Sequence, residues 1–73
     1  MSLADAYAMR HPDVVHLLRF FEYAHLPERL QVVSAPCGQL ADDMVRTLLD
    51  GPELAVGLRK LLEAKDCFVR AAL

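Results

Sequence analysis

The chain has no tryptophan, only two cysteines and three glycines, and aromatic residues make up just 7% of it. Two cysteines, Cys37 and Cys67, cannot build the multiple disulfide staples of a small secreted domain, so both are expected as free thiols in a reducing compartment. No apolar run approaches the length of a membrane span. The start, Met1-Ser2-Leu3-Ala4-Asp5, is neither basic nor followed by a long apolar stretch, so no secretory leader is expected and the cytoplasm is the expected compartment. A basic excess is also missing: the formal net charge is −2, which argues against a protein that coats duplex nucleic acid. A small anionic ligand is still compatible, because it needs only a few local cations.

Catalytic and metal-binding patterns are scarce as well. His11, His16 and His25 include no i, i+4 pair on one helix, and no cysteine or carboxylate completes a metal-ligand spacing. Ser34 has no glycine elbow, and neither cysteine has a helper histidine near it in sequence. Glu53, Glu63 and Asp66 read as a solvated helix face. The residues therefore point to a protein that is not an enzyme and carries no cofactor or metal.

What the chain does have is apolar mass. Its 73 residues are 55% hydrophobic, enough for one domain spanning residues 1–73 and no second. A core of this size rarely supplies more than ~3–5 kcal/mol without disulfides, metal or partners. Self-assembly is the remaining route to stability.

The punctuation is helical throughout. Residues 1–10 carry weak signals and read as a frayed or short helical arm. His11-Pro12-Asp13 starts a helix, because proline suits the first helical position and aspartate complements the positive helix end. That helix should reach Tyr23 and is apolar almost all round, through Val14, Val15, Leu17, Leu18, Phe20 and Phe21. A second helix is predicted from Pro27 to Leu49, kinked at Pro36, where Ser34 could back-bond or cap. Asp50-Gly51-Pro52 breaks the chain, with glycine in a left-handed position. A last helix runs from Pro52 towards Leu73.

The two long helices match. One carries the stripe Leu30, Val33, Cys37, Leu40, Met44, Leu48, and the other carries Leu54, Leu58, Leu61, Phe68, Ala72. Folding back at Gly51 pairs Leu48 with Leu54, Met44 with Leu58, Leu40 with Leu61, Val33 with Phe68 and Leu30 with Ala72. One register for five pairs predicts an antiparallel hairpin. A further stripe, Ala55, Leu58, Leu62, Val69 and Leu73, leaves a face for the first helix and a neighbouring subunit. The fold class is thus all-α: a short N-terminal helix plus an antiparallel helical hairpin, oligomerising through apolar helix faces.

Two stretches could bind an anion. Arg59, Lys60, Lys65 and Arg70 lie on the last helix, although Arg59–Glu63 and Asp66–Arg70 could simply be i, i+4 helix pairs. Arg19-Phe20-Phe21-Glu22-Tyr23-Ala24-His25 mixes rings with cations, as a nucleotide site requires. Phe20 and Phe21 read more readily as core, which leaves Tyr23 as the exposed ring.

Phe21-Glu22-Tyr23-Ala24-His25-Leu26-Pro27, Gln31, Leu40-Ala41, Pro52 and Leu58-Arg59-Lys60-Leu61-Leu62-Glu63-Ala64 together resemble a family of helical-hairpin phage proteins. These are the anti-CBASS and anti-Thoeris sponges that defeat nucleotide-signalling immunity. The resemblance covers roughly residues 20–73. It departs from the family where Ala-Asn-Ala often follows the Glu-Ala, since this chain reads Phe68-Val69-Arg70-Ala71-Ala72. The spacing around His25 also differs from members whose histidine directly follows the tyrosine. The resemblance implies a homo-oligomer that binds and sequesters a cyclic oligonucleotide or a cyclic ADP-ribose-type messenger without cleaving it, in the host cytoplasm. Taken with the two stretches above, the candidate ligand residues are Tyr23 for stacking and His25, Arg59, Lys60 and Arg70 for phosphate; the contact made by the family's asparagine cannot be carried over. The alternative is a helical protein–protein interaction adaptor with no small-molecule ligand. A DNA-binding regulator is disfavoured by the negative charge.

Overall fold

A computed structural model describes residues 2–73; Met1 of the expected arm lies outside the described residues. The fold is all-helical, with 75% of the chain in helices. The elements are α1 (Leu3–Ala6), α2 (Pro12–Leu18) continued by a 3-10 turn (Arg19–Phe21), α3 (Glu28–Thr47) and α4 (Pro52–Ala71). α4 packs against both α3 and α2, the 3-10 turn packs against α3, and α1 sits on α2 and the 3-10 turn.

The arm is docked. Ser2 caps α1 by accepting from the Asp5 N–H, and Ala4 reaches the core. Glu22 Oε1 accepts the Leu3 N–H at 2.7 Å, which satisfies one of the donors that a helix start leaves open. Tyr7 Oη donates to Asp42 Oδ1 at 2.5 Å. The start at His11-Pro12-Asp13 is as predicted: the His11 ring accepts the Asp13 N–H, and proline opens the helix. This helix stops at Leu18 rather than Tyr23, and the chain tightens into the 3-10 turn before Glu22 turns extended.

α3 continues through Pro36 without a break. Proline there denies the Val32 carbonyl its usual helical partner. Val32 and Pro36 both lie on the exposed side of the helix, where water can serve that carbonyl. Ser34 neither caps nor back-bonds: it is fully buried and its hydroxyl has no partner among the described residues.

The core holds Ala4, Val14, Leu17, Leu18, Phe21, Ala41, Val45, Leu54 and Leu58. On α3 the buried line is Leu30, Ser34, Gly38, Ala41 and Val45. Past Leu30, the predicted stripe of Val33, Cys37, Leu40 and Met44 is displaced by one residue, about 100° around the helix. The cause is that α3 has two neighbours. Its small residues Ser34, Gly38 and Ala41 turn inward, and a β-carbon at Gly38 would meet the Phe21 carbonyl oxygen and the Tyr23 ring. The larger Leu40, Met44 and Leu48 are left at the margin of the α3–α4 contact, each more than a third exposed.

The predicted hairpin partners nevertheless meet around one feature. Leu40, Met44 and Leu48 from α3 and Leu54, Leu58 and Leu61 from α4 line a single groove of about 270 Å³, floored in part by Gly57. Further along, Phe68 is 54% exposed and does not form a buried pair with Val33. The second α4 stripe is covered near the turn, with Leu58 buried and Ala55 half-buried, and fades to an exposed Leu73.

At the α3–α4 turn Gly51 is extended, with φ 170° and ψ 171°, so the left-handed glycine expected there is not present. α3 ends instead through a contact distant in sequence. Arg10 donates from Nη1 to the Val45 carbonyl at 2.5 Å and from Nη2 to the Leu48 carbonyl at 2.6 Å. Helix C-termini leave four carbonyls without helical partners, and a guanidinium fits them in hydrogen bonding and in charge. Asp50 holds that guanidinium in place, accepting from Arg10 Nε on Oδ1 and from the His11 N–H on Oδ2, both at 2.9 Å. Cys37 and Cys67 are free thiols.

Candidate ligand site

The residues implicated in binding fall into two groups. The first is the turn that leads into α3. The Leu26 N–H donates to the Tyr23 carbonyl at 3.0 Å. Gln31 Nε2 pins the turn from the first α3 coil, donating to the carbonyls of Leu26 at 2.8 Å and Ala24 at 3.3 Å. His25 is therefore held on an exposed apex, while Tyr23 is half-buried with its ring over Gly38. Phe21 is core, but Phe20 is 49% exposed. The more exposed ring of this segment is Phe20, while Tyr23 is half-buried.

Tyr23 borders a cavity of about 370 Å³ between the arm and α3, alongside Leu3, Glu22 and Asp42. Among the described residues no cation lines it. Its two carboxylates are already engaged by the arm, through the Leu3 N–H and the Tyr7 hydroxyl. The bond to Asp42 and the negative charge of its carboxylate, with partial burial, raise the Tyr7 phenol above its ordinary value.

The second group is on α4. Arg59, Lys60 and Arg70 are all exposed. The two helix pairs expected from spacing are not formed: Asp66 pairs with Lys65 at 2.9 Å, and Arg70 Nη2 donates to Cys67 Sγ at 3.3 Å. Arg59 and Lys60 make no ion pair or side-chain hydrogen bond among the described residues. Helix geometry sets Arg59 and Arg70 on one side of α4, roughly 16 Å apart along the axis, with Lys60 rotated about 100° from Arg59. A single phosphate cannot bridge Arg59 and Arg70. Arg59, Lys60 and Arg70 thus do not converge on one point of α4, and Tyr23 and His25 belong to the turn before α3.

Several residues with clear jobs carried no signal of them in the sequence. Arg10 and Asp50 stand 40 positions apart, so neither spacing nor periodicity joins them. The Asp50 carboxyl is held below its ordinary range, chiefly by the His11 N–H; burial opposes this, and the hydrogen bond and charge of Arg10 add to the lowering. Gly38 is different: glycine inside a helix costs ~0.5–1 kcal/mol relative to alanine, and that cost hints at a close approach. Among the described residues no group of three or more His, Cys, Asp or Glu side chains could hold a metal ion. No described helix is long and apolar enough to cross a membrane.

Comparison of the chain with known protein families, curated proteins and solved structures gives no match.

Proposed function

We propose that the protein sequesters a cyclic nucleotide messenger at sites completed between copies of the chain, without cleaving it. The observation that carries this reading is the state of Arg59 and Lys60. Both are exposed and have no ion pair or side-chain hydrogen bond among the described residues, although Glu63 lies one helical turn from Arg59. Cations left unpaired in this way are available to phosphate, for which a charge-assisted hydrogen bond is well suited. The half-buried Tyr23 ring and the exposed His25 offer the stacking and polar contacts that a nucleobase takes. In this reading a second copy of the chain brings the turn and the α4 cations to one ligand. The apolar groove between α3 and α4 supplies a face for such assembly, and the resemblance over residues 20–73 supports the ligand class.

The groove also favours a second reading, an adaptor that receives an amphipathic helix of another protein. Calorimetric titration with cyclic dinucleotides, cyclic trinucleotides and cyclic ADP-ribose isomers separates the two. Binding by a sedimenting oligomer, with the ligand recovered intact by mass spectrometry after denaturation, is the expected result. Arg59→Ala and Lys60→Ala should each weaken it by ~1.5–3 kcal/mol. Recovery of hydrolysed ligand would make the protein an enzyme. Absence of binding across the panel would leave the adaptor.

A further inference from the structure

A cleft of about 250 Å³ lies where the arm meets α2 and the 3-10 turn, and its lining is unlike that of the rest of the surface. The walls are Ala8, Arg10, Pro12, Val15, His16 and Arg19. Half of them are cationic or imidazole side chains and none is a carboxylate, in a chain whose net charge is −2. Arg10 is anchored by Asp50 and by the carbonyls of Val45 and Leu48. Those bonds use three of the five guanidinium N–H groups and leave two on a side chain that cannot swing away. Asp50 balances the charge of Arg10, so the net positive charge comes from Arg19. Arg19 is exposed and makes no ion pair or side-chain hydrogen bond among the described residues. The His16 ring, one turn before it, is braced edge-on against Phe20, with ring centroids 5.3 Å apart and planes at 81°. Pro12 and Val15 complete the cleft with apolar surface.

We propose that this cleft binds a phosphate group through Arg19, His16 and the fixed guanidinium of Arg10. Its volume falls below the ~300 Å³ floor for pockets that enclose drug-sized ligands. It suits inorganic phosphate or a phosphate monoester, not a whole cyclic oligonucleotide. It is a different site from the α4 face and stands or falls apart from it. Because Arg10 also closes the end of α3, an anion held here links the arm, α2 and the α3 terminus.

The test is a titration of the ¹⁵N-labelled chain with sodium phosphate at constant ionic strength, followed by amide shifts, with adenosine monophosphate as a parallel arm. Saturable shifts confined to the amides of residues 8, 10, 15, 16 and 19 are the expected result. Arg19→Gln and His16→Gln should each weaken binding about tenfold or more, and Arg59→Gln should leave it unchanged. Tighter binding of the monophosphate would assign the apolar wall to the ester body, and equal affinity would assign the site to free phosphate. Shifts that rise linearly without saturating, or binding by Arg19→Gln within twofold of the parent, would overturn the proposal.

Discussion

Two glycines, both inside helices, should respond to the same substitution in opposite directions. Alanine is the better helix former by ~0.5–1 kcal/mol, so replacing a mid-helix glycine ordinarily stabilises. At Gly57 nothing lies within 4 Å of where a β-carbon would stand. Gly57→Ala should therefore gain the full ~0.5–1 kcal/mol, and in a domain of this size each kcal/mol moves Tm by ~4–8 °C. At Gly38 the new carbon would stand 3.0 Å from the Phe21 carbonyl oxygen and 3.2 Å from two carbons of the Tyr23 ring. The ring can yield a little. The carbonyl belongs to the backbone of the 3-10 turn, which Phe21 anchors in the core. Overpacking of this kind costs typically ~1–3 kcal/mol, which outweighs the propensity gain and leaves a net loss of ~1 kcal/mol, or ~4–8 °C. Thermal melts followed by helical circular dichroism, repeated over a range of chain concentrations so that assembly does not masquerade as stability, measure both changes. A Gly38→Ala chain as stable as the parent would refute the close approach of the 3-10 turn to α3. A destabilised Gly57→Ala chain would refute the open groove, because something must then already fill it.

Three further outcomes follow from the packing. Leu58→Ala should cost ~2–5 kcal/mol in urea unfolding, whereas Leu40→Ala, half exposed at the groove, should cost only ~1 kcal/mol; equal costs would restore the stripe displaced by one residue. Arg10→Ala should cost ~1.5–3 kcal/mol and speed amide exchange around the α3 terminus, and unchanged exchange there would deny Arg10 its capping role. The Asp50 carboxyl is held below 3.8, its ordinary value, so the unfolded chain binds its proton more readily. Its contribution to stability is present above about pH 4 and is lost as the pH falls through the lowered value. Asp50→Asn should flatten that part of the acid limb in melts between pH 2 and 6, and a parallel acid limb would contradict the assignment.

Local chemistry was enough to make the elements legible. Pro12 after His11, Pro52 after Asp50-Gly51 and the long apolar periodicities mark helix starts and faces that depend only on residues within a turn or two. The three groove partnerships nearest the turn were legible for the same reason, since a short connection leaves adjacent helices few ways to pair. The tertiary structure decided which side of α3 is innermost. That choice turns on Gly38 leaving room for the Phe21 carbonyl and the Tyr23 ring, with small Ser34 and Ala41 buried on the same line, and residues this small leave almost no trace in a hydrophobic pattern. The tertiary structure also decided how the arm is held and how α3 ends. Arg10, Tyr7, Asp42 and Asp50 act across separations of 35 residues or more, and periodicity carries no information over such distances. The sequence singled out the cations of α4 as candidate binding groups. Their angular spread around the helix, and the lack of helix pairs to occupy Arg59, became visible only once the chain was folded.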